Sequence, residues 1–124
     1  MKTKYTVGSL FAGIGGLCTA FEKAGCEIKW ANEWDEKACL TYEHNFSTKL
    51  LEKDIYEITE PLKLGKVDII TSGFPCQAFS VAGYRQGFED EKGRGNLFFE
   101  TARFIDIIRP KAFLLENVRN LASH

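Results

Sequence analysis

Residues 5–25 read as a strand that runs through a glycine turn into a helix, an order that strongly constrains how the rest can fold. Tyr5, Val7 and Leu10 mark a short strand, Phe11 to Gly16 spell F-A-G-I-G-G, and Leu17, Ala20, Phe21 and Ala24 recur at the spacing of one helical face. Gly25 is the expected stop. Such a turn exposes backbone N–H groups at a helix N-terminus and removes the side chains that would keep a ligand away. The turn alone does not decide the ligand, because the G-x-G-x-x-G pattern of dinucleotide sites has Cys18 in its last place here.

A second strand is expected over Glu27 to Asn32, with Ile28 and Trp30 on one face, and it ends at Glu33-Trp34. Glu33 lies 20 residues beyond Gly13, where a carboxylate can accept hydrogen bonds from a ribose diol. A solvated strand end and a core aromatic would explain Glu33 and Trp34 separately. Their adjacency after a glycine turn favours a nucleoside, with the carboxylate for the sugar and the indole for the base. Asp35 is placed to cap a helix whose inward stripe is Ala38, Cys39, Tyr42 and Phe46. Asp54 falls where a short third strand ends, either as a plain turn residue or in contact with an adenine amino group.

The apolar run Val67, Asp68, Ile69, Ile70 has the length and branching of a buried strand, and S-G-F-P-C-Q-A-F-S follows it directly. Pro75 fixes its own φ and pushes Phe74 toward an extended conformation, so Cys76 is aimed from just past a strand end. In open α/β sheets that edge carries ligands and reacting groups. Gln77 to Gly95 shows no periodicity and holds Arg85, Lys92 and Arg94, the composition of a binding loop or lid. Asn96 is then expected to cap a helix with Leu97, Thr101, Phe104 and Ile108 on one stripe and Phe98, Ala102 and Ile105 beside it, apolar over a wide arc and therefore buried. A fifth strand, Ala112 to Val118, ends in Glu116 and Asn117, polar groups that are costly to bury without partners. Alternating strands and helices imply a mainly parallel sheet of about five strands, with helices on both faces and a switch point between the first strand and the strand at Val67. The glycine turn then lies beside Cys76.

Composition narrows the partners. Lys and Arg total 16 against 17 Asp and Glu, for a net charge of −1, so a nucleic-acid substrate would need most of its basic surface from elsewhere. Cys18, Cys26, Cys39 and Cys76 form no C-x-x-C pair, and His44 and His124 are the only histidines, so no metal site is expected. No apolar run reaches the roughly 18 residues of a membrane span, and no signal-peptide core follows Met1, so the expected location is cytoplasmic, with reduced thiols.

The ordered series F-A-G-I-G-G, Glu33-Trp34, Asp54-Ile55, G-F-P-C-Q-A-F-S and Glu116-Asn117-Val118 resembles the motifs of cytosine-5 DNA methyltransferases over nearly the whole chain. The resemblance implies a Rossmann-like S-adenosylmethionine-dependent fold. It implies that Phe11, Ala12, Gly13, Ile14, Gly15, Gly16, Glu33, Trp34, Asp54, Ile55, Gly73 and Leu97 line the S-adenosylmethionine pocket. By the same resemblance Cys76 is the nucleophile, Glu116 binds and protonates the cytosine ring, and Asn117 holds that part of the site together. Gln77, Ser80, Arg85 and Arg94 approach the DNA.

Members of that family continue past the E-N-V motif, with further strands, a target recognition domain and a segment that returns to the cofactor. The chain is therefore expected to be one domain, the N-terminal part of a catalytic domain incomplete at its C-terminus, whether as a truncation, a remnant or one half of a split enzyme. Duplex DNA is the expected partner, reached through the missing recognition domain, with a complementing C-terminal chain as a further candidate. Alone it is expected to transfer no methyl groups. Two alternatives share the fold: a tRNA cytosine-5 methyltransferase and a non-catalytic cofactor-binding subunit. A dinucleotide oxidoreductase explains Glu33 and the turn but leaves Cys76 and Glu116 without a role.

Overall fold

The strands are β1 (Thr6–Leu10), β2 (Glu27–Glu33), β3 (Lys49–Glu52), β4 (Ile69–Ser72) and β5 (Ala112–Leu115), in a computed structural model that describes residues 4–75 and 97–117. All pair in parallel, in the order β3-β2-β1-β4-β5. The chain thus winds outward from β1 to β3 and resumes on the other side of β1, which puts the switch point between β1 and β4 as expected. The helices are α1 (Gly16–Lys23), α2 (Glu36–Asn45) and α3 (Leu97–Ile108), with short 3₁₀ helices at Ile55–Glu57 and Pro61–Leu64. Among the described residues no helix is long and apolar enough to cross a membrane.

Two apolar layers sandwich the sheet. Leu10, Trp30, Ile55, Ile70, Phe104 and Ile108 form one, beneath α3 and the 3₁₀ segments; Val7, Cys18, Ile28, Ala31 and Tyr42 form the other, beneath α1 and α2. Ile28 and Trp30 therefore face opposite layers, not the same one. The cause is a bulge: Val7 pairs with Ile28 and Gly8 with Trp30, which leaves Lys29 as an extra residue and inverts the alternation after it. The Trp30 ring then lies flat across Gly8, where a Cβ would sit 2.3 Å from its Cζ2 atom, and its Nε1 donates to the Gly65 carbonyl at 3.0 Å.

Three further expectations shift in detail. α1 turns Cys18 inward with Leu17 and Phe21 half-buried, while Ala20 and Ala24 are exposed, because the Cys18 sulfur accepts the Tyr42 hydroxyl at 3.2 Å. β4 begins at Ile69, and Asp68 just ahead of it is bonded to β1 through its backbone N–H, at 3.0 Å to the Thr6 carbonyl, and through its carboxylate, which accepts the Thr6 N–H at 2.9 Å and the Thr6 hydroxyl at 3.1 Å. α3 buries Thr101, Phe104 and Ile108, but its second stripe, Phe98, Ala102 and Ile105, lines an open groove of about 290 Å³ with Phe113 and Leu115 of the edge strand β5. That stripe is only partly covered because nothing described packs over β5, whose Phe113 is 55% exposed.

Two consequences are measurable. Gly8→Ala drives a methyl group into a buried indole and costs about 1–3 kcal/mol, read as a lowered urea midpoint; an unchanged midpoint contradicts this packing. The Thr6 N–H, helped by the Thr6 hydroxyl and Lys111, holds the Asp68 carboxyl below its ordinary 3.8. A depressed folded value stabilises above the unfolded one and is lost as pH falls through it. The stability gap between the native chain and Asp68→Asn therefore narrows as pH drops below about 4. A gap that stays constant from pH 6 to pH 3 contradicts it.

Candidate functional site

The C-terminal edge of β1 and β2 is shaped by one carboxylate. Glu33 Oε1 accepts the Gly13 N–H at 2.8 Å, and Oε2 accepts those of Trp34 at 3.1 Å and Asp35 at 2.9 Å. A carboxylate offers about four lone-pair directions, so a further donor can still be received. The turn reaches this geometry through left-handed backbone at Phe11, φ 52°, and Gly13, φ 60°. It is tied to β2 by the Ala12 N–H donating to the Asn32 carbonyl at 3.0 Å. Positions where Cβ atoms would stand on Gly13 and Gly16 look into open space. Around them Ile14 is 62% and Trp34 69% exposed, so an aromatic and an aliphatic surface flank a fixed acceptor. Trp34 is not a core residue. Gly15 differs from its neighbours: a Cβ there would lie 2.2 Å from the Phe46 ring, so this glycine serves the packing of α2 against the turn.

Asp54 sits two residues beyond β3 and caps the 3₁₀ helix Ile55–Glu57. Its Oδ1 accepts the Tyr56 N–H at 3.0 Å, and its own N–H donates to Glu57 Oε1 at 3.1 Å. Ile55 is 2% exposed, with its side chain in the core. A residue the sequence reading passed over, Asn32, fixes the approach: its buried Nδ2 donates to the Leu51 and Lys53 carbonyls, each at 2.9 Å. The signal was an amide at the end of an apolar strand, where it needs partners.

Beyond the switch point, Glu116 and Asn117 follow β5. The Glu116 N–H donates to the Ser72 carbonyl at 2.9 Å, and Asn117 Nδ2 donates to the Phe74 carbonyl at 2.8 Å. Phe74 is buried and its ring meets Phe98 edge-on, 5.6 Å between centroids. The peptide entering Pro75 is thus held from both the backbone and the ring side. A Cβ on Gly73 would lie 3.2 Å from Glu116 Oε1 and 3.7 Å from the Phe11 carbonyl. Gly73 therefore separates the glycine turn from the Glu116 carboxylate, and one sheet edge brings together Phe11, Gly13, Glu33, Gly73 and Glu116. Leu97, at the start of α3, is half-buried against the core. Cys76, Gln77, Ser80, Arg85 and Arg94 lie outside the described residues.

Two of the described thiols, Cys18 and Cys39, are poorly suited to reaction. Burial pushes the Cys18 thiol up, and burial together with Glu52, Glu33, Glu43 and Asp35 pushes Cys39 up to about 11. Cys39 donates to the Glu33 carbonyl at 3.4 Å. Among the described residues no group of three His, Cys, Asp or Glu side chains is placed to hold a metal ion.

Comparison with known proteins agrees with this geometry. The family model described as C-5 cytosine-specific DNA methylase matches residues 5–124. The type II methyltransferase M.Bsp6I of Bacillus sp. (strain RFL6) is 51% identical over 119 residues, 95% of this chain and 37% of that protein. M.HpaII of Haemophilus parainfluenzae, also a type II methyltransferase, is 47% identical over 124 residues, 100% of this chain and 34% of its own. The chain thus spans about a third of the length of the curated relatives it matches. Among solved structures, Spodoptera frugiperda DNMT2, as an E260A/E261A/K263A mutant, superposes with a TM-score of 0.74 at 30% identity, covering 98% of this chain and 38% of that one.

Proposed function

The chain belongs to the C-5 cytosine-specific DNA methylase family, and on that premise we propose that it supplies the cofactor site and catalytic groups for methyl transfer from S-adenosylmethionine to C5 of cytosine in duplex DNA, in a restriction-modification setting. One observation carries the reading: Gly73 lies between the glycine turn and the Glu116 carboxylate, so a nucleoside held by Glu33 and a base held by Glu116 meet at one edge. The relatives are about three times as long, so transfer is assigned to this span together with the portion they carry in addition. Target recognition is assigned to that portion.

The residues present fit the cofactor. Glu33 keeps an acceptor direction for a ribose hydroxyl, Trp34 offers a face to the base, and Gly13 and Gly16 raise no wall. Phe11, Ala12, Ile14, Asp54, the Ile55 backbone, Gly73 and Leu97 complete the pocket, with Gly15 supporting it from behind. Bound there, S-adenosylmethionine supplies an electrophilic methyl group on a sulfonium sulfur.

The chain's own groups prepare the acceptor. C5 of cytosine is a weak nucleophile, and addition of the Cys76 thiolate to C6 shifts the C5–C6 π pair onto C5. Charge that develops on the ring reaches N3, where the Glu116 carboxyl donates its proton. After transfer, solvent water takes the C5 proton, the C5–H pair re-forms the C5=C6 bond and expels Cys76 as thiolate, and N3 returns its proton to Glu116, which restores the aromatic ring. The base must leave the duplex to be reached in this way, as methyltransferases require. Asn117 fixes the Phe74 carbonyl two residues before the thiol, and Gln77, Ser80, Arg85 and Arg94 face the DNA.

DNA is favoured over tRNA by the type II relatives at about half identity. Labelled methyl transfer by this span, complemented by the remaining portion of the enzyme, is expected on duplex DNA and not on tRNA. Cys76→Ser is expected to remove at least about a thousandfold of it while S-adenosylmethionine still binds. Transfer that survives in Cys76→Ser contradicts the mechanism, and transfer to tRNA alone contradicts the substrate.

A further inference from the structure

The Arg103 side chain of α3 reaches the segment that follows β3. Its Nη1 donates to the Ile58 carbonyl at 2.9 Å and its Nη2 to the Ile55 carbonyl at 3.1 Å. Nε and Nη2 also meet Glu100 Oε1, at 3.0 and 2.6 Å. The guanidinium carbon lies 5.0 Å from the centroid of the buried Phe104 ring. With the side chains of Arg103 and Glu100 only 28% and 17% exposed, this is a partly desolvated fork and not a loose surface pair.

Both carbonyls belong to the 3₁₀ helix that Asp54 caps or to the residue that closes it. A three-residue 3₁₀ helix has little stability of its own. Ile55 and Ile58 anchor it in the core, and the Tyr56 N–H holds the Asp54 carboxylate within it, but apolar burial is non-directional and does not by itself set how the segment as a whole is turned. The planar fork of Arg103 fixes that turn of the segment, which the point charge of a lysine cannot do. On its other side the same helix meets β4, where Thr101 Oγ1 lies 2.8 Å from Ser72 Oγ. α3 therefore holds the Asp54 segment in fixed relation to the strand that leads to Gly73.

We propose that Arg103 is a positioning residue for recognition of the cofactor's base: by holding the Ile55 and Ile58 carbonyls it orients Asp54 toward the exocyclic amino group and makes the site prefer adenosine over other purine nucleosides. This rests on the cofactor reading above and extends it to a residue outside the pocket. Glu100 is the partner that holds the guanidinium in place.

Calorimetry with S-adenosylhomocysteine and S-inosylhomocysteine, which carries an oxygen in place of the amino group, tests it. The native chain is expected to prefer the adenosine ligand by about tenfold or more. Arg103→Gln is expected to lower that ratio below about threefold with the inosine affinity little changed, and to speed amide exchange at Glu57 and Ile58 while β1 amides stay protected. Glu33→Ala weakens both ligands and preserves the ratio. Arg103→Lys, whose circular dichroism reports folding, carries the same test if Arg103→Gln does not fold, and is expected to restore the ratio in part at most. A folded Arg103 variant with the native ratio overturns the inference alone. A native chain that binds neither ligand overturns the cofactor reading as well.

Discussion

The Glu33 carboxylate, receiving N–H bonds from Gly13, Trp34 and Asp35, is the contact on which the rest of the edge depends. It joins the turn after β1 to the start of α2, so these two structures cannot move independently. Its own place is set one residue earlier, where Asn32 ties the end of β2 to the carbonyls of Leu51 and Lys53. Backbone donors that would otherwise stand orphaned at a turn are thereby satisfied, and an acceptor is left facing outward.

The parallel order β3-β2-β1-β4-β5 explains why this edge can serve two ligands. Connections leave β1 and β4 in opposite directions, which opens a crevice above the switch point. At Gly73 the absent side chain leaves room for the Glu116 carboxylate and the Phe11 carbonyl, 3.2 and 3.7 Å from where a Cβ would stand. The proposed function gives these positions chemical roles. The geometry puts the Glu116 carboxylate and the Glu33 edge on the same side of the sheet, as the proposed function requires.

Much of this was legible in the residues. Glycines that admit positive φ, an aspartate one residue before a helix and an acid closing the second strand each have a local cause, and the turn, the Asp35 cap and Glu33 stand where that cause puts them. What escaped depends on non-local contacts. One extra residue at Lys29 is invisible to an alternation pattern, yet it moves Ile28 and Trp30 to opposite layers. Gly15 reads like Gly13 until Phe46 is seen against it. Arg103 is informative only once its acceptors, about 45 residues earlier in the chain, are known. The role of Cys76 rests on its motif and on the held peptide that precedes it.

The central claim is that residues of this span assemble a nucleoside site for a methyl donor at the β1–β4 switch point. Its most direct test is calorimetric titration of the chain with S-adenosylmethionine, with NAD as the control. Saturable binding of S-adenosylmethionine and none of NAD is the predicted result. Binding of NAD, or no binding of either ligand by a chain whose circular dichroism shows a folded α/β domain, contradicts the claim.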